Sequence, residues 1–334
     1  MIVLVVIYYP IFFRKKIVSH VLRLIASRFW YDEKPRSVTQ FTHLGQLAAL
    51  KGGRRRQAEL NQAICEMFVA GASTTRVSEV VEALSGTQPS PSTVSRVFHG
   101  MEEEFEQWKK RPLQAHYWYV FADGTYFTVI YDGRGEKMPI LAVIGIDAAG
   151  QREILGFTIG DHENQKARED LLDNLKERSI RQIDLCITDG GQAMINAIEN
   201  KFSTANHQRC VKHKMENALG YIPKKQHEQI YPELEAIFYQ ANRAKARQTM
   251  AAFIAKYERI YPTAIDVLQR DLDACLTFYE FPEEPWKFIR TSNVIERLFC
   301  EVKKRTHKMA AAFRNENSGL EVSGIILDIC GYPR

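Results

Sequence analysis

The fold of this chain is decided by the stretch Trp118-Tyr-Val-Phe-Ala-Asp-Gly-Thr-Tyr-Phe-Thr-Val-Ile-Tyr131. Its aromatic and β-branched residues are typical of a buried strand. One carboxylate, Asp123, lies in the middle of the stretch and is followed by Gly124. Because a buried charge is costly unless it is paired or bound to a metal ion, Asp123 is either a hydrogen-bonded structural residue at a bulge or a functional carboxylate.

A second stretch has the same design and favours the functional alternative. It reads Ile183-Asp-Leu-Cys-Ile-Thr-Asp-Gly-Gly191, and it also reaches an Asp-Gly pair, at Asp189, directly before a helical pattern. Two strands that each present an aspartate beside a glycine indicate two carboxylates that converge on a hard cation, because such cations take oxygen ligands.

Length and composition place the chain among ordinary globular proteins. Its 334 residues are enough for two or three domains with sizeable cores, and 45% of them are apolar. The net charge of +5 is compatible with nucleic-acid binding but is weak evidence for it. The six cysteines show no CxxC pair and no framework spacing, which indicates a reduced cytosolic protein.

The chain opens on an apolar run, Ile2 to Phe13, that Pro10 interrupts. The run is shorter than the roughly 20 residues that span a bilayer. Its basic residues follow it, whereas those of a signal peptide come first. We expect an atypical start or a core strand here, with a peripheral anchor as the alternative, and no stable membrane association.

Three short helical patterns follow between Glu59 and Gly100. The third begins at Ser90-Pro91, where serine is a favourable N-cap and proline fits the first helical position. This order is typical of a helix-turn-helix unit, whose last helix enters the major groove of DNA. A generic three-helix bundle is the alternative. The side chains predicted to face DNA are Ser92, Thr93, Ser95 and Arg96.

The segment around Asp123 and Asp189 alternates strands with helices. Three strand patterns separated by turn residues predict an antiparallel meander, and a helix then leads to the Asp189 strand. A further helix and a short fifth strand follow, which predicts an α/β fold with a mixed sheet. Beyond them the chain is helical to about Phe281, as in a helical domain inserted into the sheet. The predicted helix breaks lie at Pro223, Pro232, Pro262 and Pro282.

The last predicted helix carries a third acid, Glu296, at the edge of its apolar stripe. Between Lys287 and Arg314 eight Lys or Arg residues accompany two Glu residues, a local net charge of +6. The basic side chains of such a helix either form a solvated face or bind phosphate. In the second case Glu296 is a metal ligand placed among them. The apolar stripe consists of Ile295, Leu298, Phe299 and Val302.

Together, Asp123, Asp189 and Glu296 resemble the acids of the DDE transposases, which have an RNase H-like fold. The closer resemblance is to the mutator-type transposases of bacterial insertion sequences, and it runs in order from about Glu59 to Asn317. Each motif alone is weak, but six in the family's order are specific. They are Arg111-Pro-Leu113, Val120-Phe-Ala-Asp-Gly-Thr-Tyr126, Gly145-Ile-Asp147 with Arg152-Glu-Ile-Leu-Gly156, Thr188-Asp-Gly-Gly191, Arg209-Cys-Val-Lys-His213, and Arg290-Thr-Ser-Asn-Val-Ile-Glu-Arg-Leu298 with Lys304-Arg-Thr306.

The resemblance implies an enzyme that cleaves and joins DNA strands at the terminal inverted repeats of an insertion sequence. It implies an RNase H-like mixed five-stranded sheet with flanking helices and an all-helical insertion. Asp123, Asp189 and Glu296 would hold two Mg²⁺ ions, for which Mn²⁺ can substitute. The implied partners are double-stranded DNA, as terminal repeats and as target, and a second copy of the chain in a synaptic homodimer. The implied location is the bacterial cytoplasm, at the nucleoid.

The resemblance also assigns residues around the three acids. Cys210 and His213 match the family's Cys-x-x-His signature beside the site. The alternative is a zinc half-site, which needs two more ligands, and His207 is the nearest candidate. Trp286 either stacks on a flipped base or packs the insertion against the core. The residues expected at the edge of the site are Cys210, His213, Asn293 and Arg297. Further expected DNA contacts are Arg290, Lys303, Lys304, Arg305 and Trp286.

Two departures from the family's pattern suggest a second hypothesis. The chain starts on an apolar run, and it ends soon after the Glu296 helix. A truncated or domesticated copy would bind DNA ends without catalysis, as a repressor or inhibitor. A third hypothesis is an RNase H-like nuclease without joining activity. The predicted domains are residues 1–56, an N-terminal region; 57–112, the helix-turn-helix domain; 113–213, the first part of the catalytic core; 214–285, the helical insertion; and 286–334, the end of the core.

Overall fold

The computed structural model of the chain describes residues 78–82, 106–131, 134–159 and 165–309. The predicted helix-turn-helix unit falls largely outside these ranges, and all four of its DNA-facing side chains do. That unit therefore stays a prediction. The four side chains are those of Ser92, Thr93, Ser95 and Arg96.

The chain divides into two compact units. One of them is made almost entirely of residues 110–127 and 138–300, and it contains Asp123, Asp189 and Glu296. The described residues of the other unit are 78–82, 106–109, 128–131, 134–137 and 301–309.

Five strands form one mixed sheet. They are β1 His116–Tyr131, β2 Arg134–Ile146, β3 Arg152–Ile159, β4 Gln182–Thr188 and β5 Asn206–Arg209. Their order in the sheet is β3-β2-β1-β4-β5. Strands β2 and β3 are antiparallel, whereas β4 is parallel to both of its neighbours, β1 and β5. The predicted mixed sheet of five strands is therefore confirmed.

The parallel pairing of β1 with β4 brings the two aspartates together. Phe121 lies opposite Ile187 in this pairing. Asp123 comes two residues after Phe121, and Asp189 comes two residues after Ile187. Because neighbouring strands are about 4.8 Å apart, both carboxylates reach the same edge of the sheet from adjacent strands.

Helices make up most of the chain between Gln165 and Met309. They are α1 Gln165–Glu177, α2 Gln192–Lys201, α3 Val211–Leu219, α4 Lys224–Phe238, α5 Arg243–Tyr257, α6 Pro262–Gln269, α7 Leu272–Cys275, a 3-10 helix Thr277–Glu280, α8 Trp286–Ile289 and α9 Asn293–Met309. Within the described ranges, every helix is too short or too polar to cross a membrane.

Helices α1 and α2 pack against the sheet through an apolar cluster. Leu172 of α1 and Ile198 of α2 are buried in it together with Val120 of β1 and Ile183 of β4. Gly156 of β3 allows α1 to approach closely, because a Cβ atom there would lie 3.3 Å from a leucine methyl group of α1. Each fully buried leucine or isoleucine contributes roughly 1.5–3 kcal/mol, so this cluster holds the strands that carry the aspartates.

Helices α3 to α6 have an apolar core of their own. It extends from Val211 at the start of α3, through Leu234 of α4 and Met250 of α5, to Leu276 after α7. The helical character predicted for the chain beyond the fifth strand, to about Phe281, is thereby confirmed.

The predicted helix break at Pro232 is wrong, because Pro232 lies inside α4. A proline within a helix removes one backbone hydrogen bond and costs about 3 kcal/mol. Ile230 and Leu234 on either side are at most 1% exposed, and their burial in the core offsets this cost. The breaks at Pro223 and Pro262 are confirmed, at the N-cap of α4 and at the first residue of α6.

Replacing Leu234 by alanine tests the core of the helical segment. The side chain of Leu234 is 0% exposed, so Leu234→Ala should lower the free energy of unfolding by about 2–5 kcal/mol. Glu228→Ala is the control, since Glu228 lies exposed on the same helix and should change stability by less than about 0.5 kcal/mol. Chemical denaturation measures both, and equal losses would contradict this packing.

Candidate active site

Asp123 occupies a buried position on β1, with 7% of its surface exposed. Its Oδ1 atom accepts a hydrogen bond from the backbone N–H of Gly124 at 2.8 Å. Burial raises the pKa of Asp123 to about 7, against the opposing charge of His213 and with further contributions from the carboxylates of Asp189 and Glu296. Asp123 therefore interacts with both of the other predicted acids.

Asp189 is exposed and directly follows β4. Its Oδ1 atom accepts a hydrogen bond from the backbone N–H of Gly191 at 2.9 Å, which fixes the carboxylate over the turn. Gly190 has a φ of 91°, in the left-handed region that favours glycine. A Cβ atom on Gly190 would also collide with the guanidinium group of Arg209. Gly190 is thus required by the turn and by the arginine packed against it.

Glu296 reaches the site from the first turn of α9. Its Oε2 atom lies 2.5 Å from Nζ of Lys212, and its Oε1 atom accepts a hydrogen bond from the hydroxyl of Ser292 at 3.0 Å. Burial raises the pKa of Glu296, but the hydrogen bond and charge of Lys212, with help from Ser292 and His213, outweigh it and leave that pKa lowered. Glu296 is therefore held as a carboxylate.

The start and the end of the helical segment meet at this point. The backbone N–H of Val211, at the start of α3, donates to the carbonyl oxygen of Arg290, just after α8, at 2.9 Å. This bond joins the two ends of the helical segment that separates Asp189 from Glu296 in sequence. It explains how residues so distant along the chain can share one site.

Cys210 and His213 lie beside the acids and are joined through Ser292. The backbone N–H and the hydroxyl of Ser292 both lie 3.3 Å from Sγ of Cys210, and the hydroxyl lies 3.4 Å from Nδ1 of His213. The hydrogen bond with Cys210 raises the pKa of His213 to about 9 in spite of burial, and the charges of Asp123 and Glu296 add to this. Burial raises the pKa of Cys210, but His213 and Ser292 outweigh it and leave that pKa lowered. His213 is consequently a cation at neutral pH.

Two overlapping sets of donor atoms could hold a metal ion. The three carboxylates would give a hard oxygen set, and oxygen ligands suit Mg²⁺. Lys212 and His213 lie beside one of these acids, Glu296. Cys210, His213 and Glu296 form a softer set, whose donor atoms lie within 4.8 Å of one another and suit zinc better.

The structure does not bring His207 into the softer set. Its Nε2 atom lies 2.8 Å from the hydroxyl of Thr188, and burial together with the charge of Arg209 lowers its pKa to about 4. In the described part of the chain, the hydroxyl of Ser292 instead lies among the three donors of that set. A zinc ion bound to these three donors would therefore have to displace the hydroxyl of Ser292 from its hydrogen bonds with them.

The sequence predicts a DNA contact for Arg290, but the structure gives this residue a different place. Arg290 is 8% exposed, and its Nη1 atom donates to the carbonyl oxygen of Phe238 at 3.1 Å. Its Nε atom donates to the carbonyl oxygen of Trp286 at 3.0 Å, and its guanidinium group stacks 4.2 Å from the ring centroid of Tyr239. A guanidinium group held by these contacts joins the end of α8 to the end of α4.

The structure favours the packing alternative for Trp286. Its Nε1 atom donates to the carbonyl oxygen of Phe281 at 2.8 Å. Its ring contacts those of Phe278 and Tyr279 edge-on, at centroid distances of 5.7 and 4.9 Å. Trp286 is therefore part of the aromatic cluster at the end of the helical segment.

The other predicted contacts lie on α9. Asn293, Arg297 and Lys303 are exposed there. Lys304 and Arg305 belong to the same helix, and their side chains lie outside the described part of the structure. These residues keep their predicted roles as expectations.

The sequence analysis gives no role in the site to Lys212 or to Ser292. Lys212 lies inside the Cys-x-x-His motif, but its partner Glu296 is far away in sequence. The spacing between Ser292 and Glu296 was a usable signal, since residues at i and i+4 face each other on a helix. The structure makes these two side chains the direct partners of the third acid.

The chain is similar to known transposases over most of its length. The family model described as "Transposase, Mutator family" matches residues 46–328. The transposase for insertion sequence element IS905 of Lactococcus lactis is 31% identical over 271 residues, which are 81% of this chain and 68% of that protein. The transposase for insertion sequence element IS256 in transposon Tn4001 of Staphylococcus aureus is 30% identical over 277 residues, 82% and 70% of the two chains. The transposase for insertion sequence element ISRM5 of Rhizobium meliloti is 28% identical over 269 residues, 80% and 67% of the two chains.

Two glycines provide a matched test of the Asp189 turn. Gly190 and Gly150 have φ values of 91° and 74°, but a Cβ atom on Gly150 would have no atom within 4 Å. Each alanine substitution should cost about 1 kcal/mol through the backbone. Gly190→Ala should cost more, because the guanidinium group of Arg209, which is bonded to Asp271, must also move. Chemical denaturation measures both variants, and equal losses would argue against tight packing at this turn.

The raised pKa of Asp123 predicts a pH-dependent effect on stability. Its ordinary value is 3.8 and its value in the folded protein is about 7. Between these two values the folded protein keeps a proton that the unfolded chain releases, so stability falls as the pH rises through this window and stays low above it. Metal-free Asp123→Asn should therefore be more stable than the wild type at pH 8, by on the order of 2–4 kcal/mol.

The measurement is chemical denaturation in EDTA as a function of pH. The advantage of Asp123→Asn should shrink on acidification and vanish below about pH 3, where the wild-type carboxyl group is protonated in both the folded and the unfolded state. A wild type as stable as the variant at pH 8 would show that Asp123 is not destabilised by burial and by its acidic neighbours.

Proposed function

Because the chain belongs to the Mutator family of transposases, we propose that it is a DDE-type enzyme that cuts DNA at the terminal inverted repeats of an insertion sequence and joins the cut ends to target DNA. The observation that carries the proposal is the parallel pairing of β1 with β4, which places Asp123 and Asp189 side by side. Glu296 lies beside His213, whose Nε2 atom is 3.9 Å from Oε1 of Glu296. The strand order β3-β2-β1-β4-β5, with the two aspartates on adjacent strands and the glutamate on a later helix, supports an RNase H-like core.

The three carboxylates are the proposed ligands of two Mg²⁺ ions, for which Mn²⁺ can substitute. When bound, such ions activate the attacking oxygen and stabilise the leaving oxygen of an in-line displacement at phosphorus. The donor set supports this assignment, because oxygen ligands suit hard cations. The pKa of Asp123, which its acidic neighbours help to raise, supports it further.

The other side chains of the site position the carboxylates and neutralise part of their negative charge. Ser292 holds one oxygen of Glu296 and thereby fixes the direction of the carboxylate. Lys212 and His213 are cations beside the acids, and they are placed to attract the phosphodiester backbone that the acids alone would repel. Cys210 is fully buried and accepts hydrogen bonds from Ser292, so it supports His213 and is not a nucleophile.

The proposed nucleophiles are therefore water and DNA. Water attacks phosphorus in the cleavage step, and the 3′-hydroxyl released by cleavage attacks the target strand in the joining step. Neither step forms a covalent bond to the protein. In both steps the proposed role of the protein is to align the reacting groups and to stabilise charge.

The proposed partners follow from this chemistry. The exposed basic residues Arg297 and Lys303 of α9 and the predicted helix-turn-helix unit would contact double-stranded DNA. Affinity should fall steeply with salt, because cationic side chains displace counterions from the phosphates. Joining two ends in one complex calls for a homodimer. The location that fits this function is the bacterial nucleoid.

Neutral replacements of the three acids test the proposal. Asp123→Asn, Asp189→Asn and Glu296→Gln should each reduce Mg²⁺-dependent cleavage of DNA carrying the element's ends by roughly 10²–10³-fold or more. Binding of the same DNA should persist, because acidic side chains do not attract the negatively charged phosphate backbone. The control is Glu199→Gln, since Glu199 is an exposed acid of α2 and its replacement should leave cleavage unchanged.

Two outcomes would contradict the proposal in different ways. Cleavage that survives all three replacements would exclude the three-acid site. End binding by every protein, without cleavage in Mg²⁺ or Mn²⁺, would instead indicate a copy that acts as a repressor or inhibitor.

A further inference from the structure

A cavity of about 240 Å³ lies between the region around α3 and the end of α6. Its lining contains three cationic side chains, an amide, a phenol and a valine, and none of these described lining residues is acidic. They are Arg209, Lys214, Asn217, Tyr221, Val267 and Arg270. Neither the three acids nor the Cys-x-x-His pair belongs to this lining.

Lys214 places a charge in the interior beside this cavity. It is 1% exposed, and lysine is rarely buried to this extent unless it is paired. Its Nζ atom donates to the carbonyl oxygen of Arg270 and lies 3.9 Å from the carboxylate of Asp271. That same carboxylate is bonded to Arg209. Two cations thus share one acid, and the exposed guanidinium group of Arg270 adds a third positive charge.

Arg209 has a donor atom without a hydrogen-bond partner. Its Nε atom is buried and unpaired, although its Nη1 atom is bonded to Asp271. This donor lies on the side of the chain that faces Gly190. It is the guanidinium charge of Arg209, as one of the lining residues, that suits a ligand with acceptor oxygens. The guanidinium group also lies against Gly190, the residue after Asp189. Arg209 therefore connects the cavity with the turn that carries the second acid.

The chemistry of the lining selects the kind of ligand. An excess of positive charge disfavours a metal cation, and six mostly polar side chains disfavour an apolar molecule. Guanidinium and ammonium groups bind phosphate oxygens through charge-assisted hydrogen bonds. Tyr221 is 57% exposed at the lining, so the cavity is open to a phosphate that belongs to a longer polymer.

We propose that this cavity is a phosphate-binding pocket that holds a backbone phosphate of the DNA strand next to Asp189. The pocket itself is inferred from its lining, whereas DNA as the source of the phosphate rests on the proposed function. A phosphate fixed there sets the position of the strand relative to the three acids, and such positioning contributes to rate without touching the reacting atoms.

The first experiment tests the pocket with inorganic phosphate alone. Arg270→Gln removes an exposed charge of the lining and keeps the backbone carbonyl that Lys214 uses. Arg259→Gln is the matched control, because Arg259 is also exposed but does not line the cavity. Titration calorimetry should show about tenfold weaker phosphate binding for Arg270→Gln and no change for Arg259→Gln. Arg270→Lys restores the charge and should recover most of the affinity, which a damaged fold would not.

The second experiment identifies the source of the phosphate. Binding of end DNA is measured in EDTA, so that no cleavage is required, with a neutral methylphosphonate placed at one backbone position at a time. At one backbone position the methylphosphonate should weaken DNA binding by the wild type and by Arg259→Gln about tenfold. At the same position it should cause no further loss of DNA affinity for Arg270→Gln. The slope of log affinity against log salt should also be smaller for Arg270→Gln by about 0.9.

The outcomes separate the pocket from the proposed function. Equal phosphate affinity of Arg270→Gln and Arg259→Gln overturns the pocket. A pocket that binds free phosphate, with no methylphosphonate position coupled to Arg270, serves a free anion and overturns the DNA assignment. A wild type that binds no end DNA contradicts the proposed function and the DNA assignment together, while the phosphate titration still decides whether the pocket exists.

Discussion

The burial of one carboxylate, Asp123, beside other charged groups is the constraint on which the rest of the candidate site depends. Parallel pairing of β1 with β4 forces Asp123 and Asp189 to the same edge of the sheet, and α9 adds Glu296. Burial and these neighbours raise the pKa of Asp123 to about 7. Such a site lowers the stability of the metal-free protein, as expected where residues are selected for function and not for folding. Lys212 and His213 supply opposite charge beside Glu296, and His213 also interacts with Asp123.

Two apolar cores and a few polar contacts hold this arrangement in place. One core fixes the strands under α1 and α2, and the other lies within the helical segment between Asp189 and Glu296. Gln208 of β5 joins the two parts: its side chain is fully buried, donates to the carbonyl oxygen of Cys275 at 3.0 Å and accepts from the N–H of Phe278 at 2.8 Å. The helical segment is therefore docked on β5, the strand next to β4, which Asp189 directly follows. This contact fixes the end of the helical segment near the sheet, so that the chain returns to the site.

Much of the site could be predicted from local pattern, and the exceptions share a cause. Asp123 stands out as a charge in a strand rich in aromatic and β-branched residues, and Asp189 stands out because it begins a second Asp-Gly pair, directly after β4. The burial of Arg290 could not be predicted, because a basic residue in a basic segment looks solvated until the rings that cover it are known. Lys212 was missed because its partner is remote in sequence. Pro232 was misjudged because packing on both sides overrides a local helix breaker. Tertiary contacts decide each of these cases.

A crystal structure of the protein soaked with Mn²⁺, with anomalous scattering measured at the manganese absorption edge, tests the central claim most directly. The account predicts anomalous density in contact with the carboxylates of Asp123 and Asp189, with Glu296 turned from Lys212 toward the metal. It also predicts that this density is lost in Asp123→Asn crystals. Density confined to Cys210 and His213, or none near Asp123, would contradict the three-carboxylate site and leave the softer donor set as the metal centre.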